Sequence, residues 1–388
     1  MARACSQAIR LELIHPVGIG EITVKTKFYL KPSVLAAAVA AAVAVTGSPA
    51  YALDAKISGQ VNRGLMMADD GRNAETINVD NDRSSTRFRF TGSDTITPGV
   101  KAGIVWETEQ QSQPSNLVSL QAKSTGATNF IERKMELYFE GGFGKVSLGQ
   151  GEAAMDGGVQ VDLSGTGIVA GSAVQDVGGA VEFRTSAGDL SDVTIGDVLS
   201  DQDFEGRYDR TRYDSPALGP VTLSASTGQV AGDDATEYGF RVNTNLGGGG
   251  KLAAAYGIST RKLNGSLQEN ETTGGSLSVL LAGGLNFTVG ITNKEFDPGT
   301  PGDVTTESDY TYFKIGQKMG KHAVSLDFGK GEDQGGVGNE GEHIGVQWVW
   351  SPVGWADIYG SYGTNSLDVT GLNFDDINIL FVGSNIKF

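Results

Sequence analysis

Basic side chains recur at alternate positions in an otherwise acidic chain. "STRFRFTG" interleaves Arg87 and Arg89 with Phe88 and Phe90, and "RYDRTRYD" interleaves Arg210 and Arg212 with Thr211 and Tyr213. Lys134 stands just ahead of "MELYFEGG", and Glu107 follows Trp106 in "GIVWETEQ". Neighbouring side chains on a strand point to opposite faces. Such segments gather fixed charge on one face and apolar side chains on the other. Fixed charges lining a passage discriminate between ions. Acids that could oppose these bases, Asp156, Asp162 and Asp176, lie in one Gly-, Ser- and Asp-rich stretch over 154–203.

Covalent chemistry has little to work with. Catalysis through histidine needs a His held by a carboxylate beside a nucleophile. His322 sits in the turn "KMGKH", and His343 opens a strand with no serine motif beside it. Neither a metal-ligand cluster nor a glycine-rich phosphate loop is present, so no cofactor and no enzymatic activity is expected. The acidic stretches "NVDND" (78–82) and "GEDQGGVGNEGE" (331–342) offer oxygen ligands for Ca²⁺. Their spacing is not that of an EF-hand, and solvated external loops are the better reading. No basic footprint for nucleic acid appears.

The first 52 residues read as a leader. Lys25, Lys27 and Lys31 precede the apolar run Val34–Val45, and Ala50-Tyr51-Ala52 follows it. A basic region, an apolar region and an A-x-A site make a secretory signal peptide. The run falls short of the ~20 apolar residues a spanning helix needs. Residues 1–24 read as upstream sequence from a start placed too early. Without residues 1–52 the formal charge moves from −16 to −19, because five basic and two acidic residues leave. Cys5 leaves too, so the exported part cannot be a disulfide scaffold.

Residues 53–388 alternate throughout. Ile104 and Trp106 oppose Val105, Glu107 and Glu109; Met135, Leu137 and Phe139 oppose Glu136, Tyr138 and Glu140. "LNFTVGITNK" and "HIGVQWVW" repeat the pattern. Segments of about ten residues with this period are the mark of transmembrane β-strands. Short connections, rich in Gly and Pro, lie at 95–101, 140–145, 215–220, 245–251, 281–286, 318–322 and 351–355. Longer polar ones lie at 69–81, 112–128, 154–203, 231–235, 262–270, 297–307, 332–340 and 365–374. The two kinds alternate, as tight turns and external loops do on the two rims of a barrel. Fifteen connections join sixteen strands. The expected fold is all-β: a closed antiparallel sixteen-stranded transmembrane β-barrel, closed because a bilayer cannot hydrate open edges. A soluble sandwich or propeller would not alternate its connections so strictly.

The chain ends "NILFVGSNIKF", an alternating strand closing on Phe388. With "AKISGQVNRGLMMADDG", "SSTRFRFTGS", "YFEGGFGKVSLGQ" and "TRYDSPALGPVTLSAS", it resembles the Gram-negative general-diffusion porins over residues 53–388. The resemblance implies a homotrimer in the outer membrane, in contact with lipid and lipopolysaccharide. It implies that Phe388 belongs to the signal read by the barrel-assembly machinery. It also implies that the third external loop, 154–203, folds into the barrel and narrows the channel. Asp156, Asp162 and Asp176 would then face a wall carrying Arg87, Arg89, Lys134, Arg210 and Arg212, with Glu107 adding acid to the lumen. Opposite charges across a narrow gap make a transverse field. Net charge leans towards cations, and the wall arginines cut across that leaning. A sugar- or anion-specific channel is the alternative. The tyrosines Tyr138, Tyr208, Tyr310, Tyr312 and Tyr359 could face inward but form no aromatic series, and no lysine ladder appears. A barrel enzyme is a remote second alternative. Trp348, Trp350 and Trp355 are candidates for the interfacial aromatic girdle, with an inward Trp355 open by parity.

Overall fold

A computed structural model describes residues 53–126, 130–300 and 304–388. The expected leader, 1–52, lies outside the described residues. In chain order the strands begin with β1 (Asp54–Asp69), β2 (Ala74–Asp80), β3 (Arg87–Thr97), β4 (Val100–Glu109), β5 (Ile131–Gly141), β6 (Gly144–Glu152) and β7 (Glu182–Thr185). They continue with β8 (Leu190–Thr194), β9 (Arg207–Asp214), β10 (Val221–Val230), β11 (Asp233–Gly247), β12 (Gly250–Lys262), β13 (Glu269–Leu280) and β14 (Leu285–Asp297). The last are β15 (Thr306–Met319), β16 (His322–Glu332), β17 (Asn339–Val353), β18 (Ala356–Val369), β19 (Phe374–Asp375) and β20 (Ile377–Lys387).

With β2, β7, β8 and β19 set aside, these make a closed 16-stranded antiparallel barrel. The seam closes at β1, which pairs with β20 from Gln60↔Lys387 to Asp69↔Asn378 and with β3 from Asp54↔Ser93 to Gln60↔Arg87. Each sequential neighbour pairs in turn, so no edge stays open.

The barrel is apolar outside and polar within. Ile57, Val61, Leu65, Trp106, Met135, Leu223, Ile291, Leu326 and Ile344 are exposed on one face of their strands. Ser224, Ser226, Glu237, Ser276, Ser278, Lys314, Ser325 and Gln347 are buried on the other. A soluble β protein would reverse this distribution; a bilayer-spanning barrel requires it. Trp355 lies in the turn between β17 and β18 and is exposed. Trp348 and Trp350 share the outward face of β17 and stack on His322, with ring centroids 5.9 and 6.0 Å away.

Three expected connections differ from the structure. The stretch 69–81 contains β2, so only 70–73 turns there. The stretch 231–235 reduces to Ala231-Gly232, both at positive φ, which is a two-residue hairpin turn rather than a long loop. The loop at 365–374 shortens because β18 runs to Val369. Polar composition signalled a loop in each case. Cross-strand pairing decided where the loop began.

The segment between β6 and β9 carries its own structure: a short 3-10 turn at Val174–Asp176, the β7–β8 hairpin and one helical turn, α1 (Ile195–Val198). Thr194 and Asp197 form a capping box at the start of α1. β19 pairs with β7, tying the last external loop to this segment. The segment supplies Val169, Val181, Phe183, Ile195, Val198 and Leu199 to a buried apolar cluster. Its counterparts are Met66, Ile77 and Val79 from β1 and β2, and Tyr359, Leu367, Ile377, Ile379 and Phe381 from β18 and β20. Glycines on the facing strands make room for it. A Cβ on Gly331 would stand 2.0 Å from the Val198 carbonyl oxygen, and one on Gly341 would stand 2.6 Å from it.

Candidate functional site: a charged lumen and the segment packed against its wall

The bases converge on β3, β4 and β5. Glu107 is fully buried, and Arg87, Arg89 and Arg133 surround its carboxylate. Arg133 Nε stands 2.9 Å from Glu107, Arg87 Nη1 stands 3.8 Å away, and Arg89 pairs with its other oxygen. Arg133 also pairs with Glu109. Arg89 remains the open member, its side chain 41% exposed. Strict alternation hides Arg133. Glu107 pairs with Lys134 and Thr108 with Glu132, so Arg133 occupies a β-bulge. The extra residue turns both Arg133 and Lys134 to the same side, where Lys134 meets Glu152 at 2.6 Å.

Arg210 and Arg212 face inward, away from Thr211 and Tyr213, yet they differ in kind. Arg210 is only 5% exposed. It pairs with Glu136 and donates to the backbone oxygens of Gly149 and Glu152 at 2.8 and 2.9 Å. It stitches β9 to β6 and β5 rather than standing in the open lumen. Arg212 grips Asp214 and donates to the Ala153 oxygen at 2.7 Å. On the outer face, Tyr213 OH donates to the Phe143 oxygen at 2.8 Å.

The segment 154–203 is hydrogen-bonded to inward-face side chains around much of the barrel. Ala154 N donates to Ser226 Oγ and Met155 N to Glu237. Val161 N and Leu163 N donate to Ser276 and Ser278 at 3.0 and 2.9 Å. Thr166 meets Ser325 at 2.7 Å, Tyr310 OH donates to the Ser172 oxygen at 2.6 Å, and Thr292 donates to the Asp201 oxygen at 2.9 Å. Lys314, fully buried, reaches Asp162 at 2.9 Å and the Ala170 oxygen at 2.8 Å.

The three loop acids are brought to different bases from those expected. Asp162 pairs with Lys314 and Asp176 pairs with Arg83 at 3.2 Å. Asp156 lies 3.6 Å from Arg207. All three therefore tie the segment to the wall. Burial opposes charge on Asp162, but Lys314 and the bonds from Ser164 hold its carboxyl below the usual range. Burial pushes Asp156 up against the pull of Arg207. Burial also pushes Asp176 up to about 7, despite Arg83. Asp203 rises well above the ordinary range through burial and the nearby Asp201 and Asp156. Its two oxygens accept from Gly157 N and Val159 N at 2.6 and 3.0 Å.

Arg83, Arg133, Arg207, Lys314 and Arg241, which donates to the Asp156 oxygen at 2.8 Å, were not legible as site residues. Arg207 adjoins the quoted arginine strand, but parity puts it on the face of Thr211 and Tyr213, so its contact with Asp156 could not be read from alternation. The others depend on a bulge, a wall break or a loop contact. The inward tyrosines Tyr310, Tyr312 and Tyr359 are buried under the segment and its packing. His343 sits with Nδ1 2.8 Å from Asn365 and Nε2 3.4 Å from Asp327, with no hydroxyl nucleophile bonded to it. Among the described residues no group of His, Cys, Asp and Glu is arranged to hold a metal ion. The lumen keeps a polar cavity of about 460 Å³ between Gln160–Ile168 and the wall residues Gln60, Ser351, Asp357, Asn385 and Lys387.

A closed sixteen-stranded barrel with an apolar exterior and a charged, partly filled lumen defines an outer-membrane channel. The sequence model of the Gram-negative porins matches residues 35–370, and the chain belongs to that family. It is an outer-membrane diffusion channel. Comparison with curated protein sequences finds no match. Among solved structures it is similar to the anion-selective porin from Comamonas acidovorans, with a TM-score of 0.61 and 14% identity, covering 86% of this chain and 99% of that one. It is similar to outer-membrane expressed OmpT of Vibrio cholerae, with a TM-score of 0.57 and 15% identity over 88% of this chain and 99% of that one. The outer membrane channel DcaP of Acinetobacter baumannii gives 0.53 and 11% identity over 89% and 100%. At these identities the likeness is one of fold.

Proposed function

We propose that small hydrophilic solutes and ions cross this barrel passively, through a lumen that segment 154–203 narrows. The observation that carries this reading is the series of hydrogen bonds from that segment to Ser226, Ser276, Ser278, Ser325 and Tyr310 on the polar face. A segment so bonded occupies cross-section that a sixteen-stranded barrel would otherwise leave to water. Its apolar cluster fills the side of β1, β2, β18 and β20. Open lumen remains in the polar cavity between Gln160–Ile168 and Gln60, Ser351, Asp357, Asn385 and Lys387, and Arg89 stands open on the inward face of β3. Discrimination then follows the charges at the narrowest level and not the formal charge of the whole chain.

Three further features belong to this proposal. The functional unit is a homotrimer; OmpT of Vibrio cholerae, similar in fold with a TM-score of 0.56, has a trimer form. On this reading the barrel is a channel rather than a hydrolase: His322 Nδ1 accepts from Trp348 Nε1 at 3.2 Å, and His343 Nδ1 lies 2.8 Å from Asn365. Phe388 serves barrel assembly, and the inserted barrel is in contact with lipid and lipopolysaccharide. Purified protein added to a planar bilayer should give stepwise, ohmic current increments. Current that saturates or is blocked by a single solute would instead favour a substrate-specific channel.

A further inference from the structure

The second wall strand is broken. β2 and β3 both pair with β1, but residues 81–86 leave the wall between them. Backbone off the ladder at membrane depth must find other partners. Here side chains provide them. Gln60 Nε2 donates to the oxygens of Ser84 and Ser85, each at 2.9 Å. Asn62 Nδ2 donates to the Ser84 oxygen at 2.7 Å, and Thr86 N donates to Asp80 at 3.0 Å. The break is thus a supported detour rather than a frayed strand.

What the detour presents inward is a set of donors for one stretch of the segment. Asn81 Nδ2 donates to the Ile168 oxygen at 2.9 Å. Arg83 donates to the Gly167 oxygen at 3.2 Å, to Gln160 Oε1 at 3.4 Å and to Asp176 at 3.2 Å. Ser115 accepts from Asp82 N at 3.0 Å and donates to the Asp176 oxygen at 2.5 Å. The segment bears the imprint of this contact. A Cβ on Gly171 would stand 2.1 Å from an Arg83 guanidinium nitrogen and 2.5 Å from its carbon. Lys314 grips the same stretch from β15, a strand separated from β1 by β16, β17, β18 and β20. The stretch 160–176 is therefore held from two separate parts of the wall.

We infer that the detour at 81–86 is a holder for the narrowing segment, and that Arg83 is the positioning residue that fixes how far the segment closes the lumen. This rests on the diffusion-channel reading above. A guanidinium suits the task, because its planar fork serves three acceptors at once where an ammonium serves as a point charge. Without it, Gly167, Gln160 and the Asp176 carboxylate lose their charged donor, and on this side the stretch keeps only the bonds from Asn81 to the Ile168 oxygen and from Ser115 to the Asp176 oxygen.

The test is single-channel recording of wild type, Arg83→Gln, Arg83→Lys and Gly171→Ala, with β-barrel heat stability measured alongside. Arg83→Gln should raise conductance about twofold and increase open-channel noise, with barrel unfolding unmoved. Gly171→Ala, which pushes the guanidinium out, should act in the same direction. Arg83→Lys should restore part of the wild-type level. If Arg83→Gln does not assemble, Gly171→Ala decides the matter alone. Wild-type conductance and noise in both Arg83→Gln and Gly171→Ala, beside a conducting wild type, would overturn the inference. A wild type that passes no current would overturn the channel reading and this inference with it.

Discussion

Arg89 carries its charge into the open lumen, whereas Arg210 and Arg212 spend theirs within the wall, on Glu136 and Asp214. The consequence is a selective pattern of substitution effects. Arg89→Gln should shift the reversal potential in a KCl gradient towards cation preference. Arg210→Gln should leave selectivity close to wild type and lower stability, since it strands buried Glu136. Equal shifts from Arg89→Gln and Arg210→Gln would contradict this division. The glycines under the segment make a second prediction. Gly331→Ala forces a methyl onto the Val198 oxygen and should cost about 1–3 kcal/mol, read as earlier heat unfolding. Asp176 gives a third. Its carboxyl is raised from 3.8 to about 7 by burial, with Arg83, Asp82 and Asp201 as the charged neighbours. A carboxyl raised on folding contributes stability that is complete below 3.8 and is lost as pH rises through about 7. The segment should therefore protect amides 166–181 more strongly at pH 5 than at pH 8, after correction for intrinsic exchange. Asp176→Asn should reduce that difference, with the rest carried by the raised Asp156 and Asp203; an unchanged difference would refute the assignment.

Elements were legible where one physical rule governed them. Wall strands obey a two-residue period because lipid and water lie on opposite faces, and that period placed Glu107, Arg87 and Arg212 on the correct side. The rule fails at Arg133, where the bulge adds a residue, and at 81–86, where the strand leaves the wall. It also says nothing of segment 154–203, whose hairpin and helical turn answer to a buried cluster contributed by β1, β2, β18 and β20. Length alone showed that this segment needed structure of its own. Pairing of Asp162 with Lys314 was out of reach because 152 positions separate them. The seam is the element where sequence and structure agree most simply. Phe388 N and O exchange 3.0 Å bonds with Gly59, and the Phe388 ring fills the space over Gly59 that a Cβ would need. Gly59→Val should therefore reduce the yield of heat-resistant, assembled barrel, as should deletion of Phe388. Full yield from both would show that the seam closes without this contact.

At the scale of the molecule, the acidic composition and the function are separate matters. By the reading proposed above, discrimination is set by the charges at the narrowest level and not by the net charge of the chain. The claim on which everything else depends is that segment 154–203 borders the conducting path. It is tested most directly by cysteine accessibility, which the single cysteine of the chain makes simple. In a Cys5→Ser background, Gln160→Cys should lose current on reaction with a bulky, charged thiol reagent. Leu267→Cys, in an exposed external loop, should react without changing the current. A Gln160→Cys channel that is fully labelled and conducts as before would contradict the account.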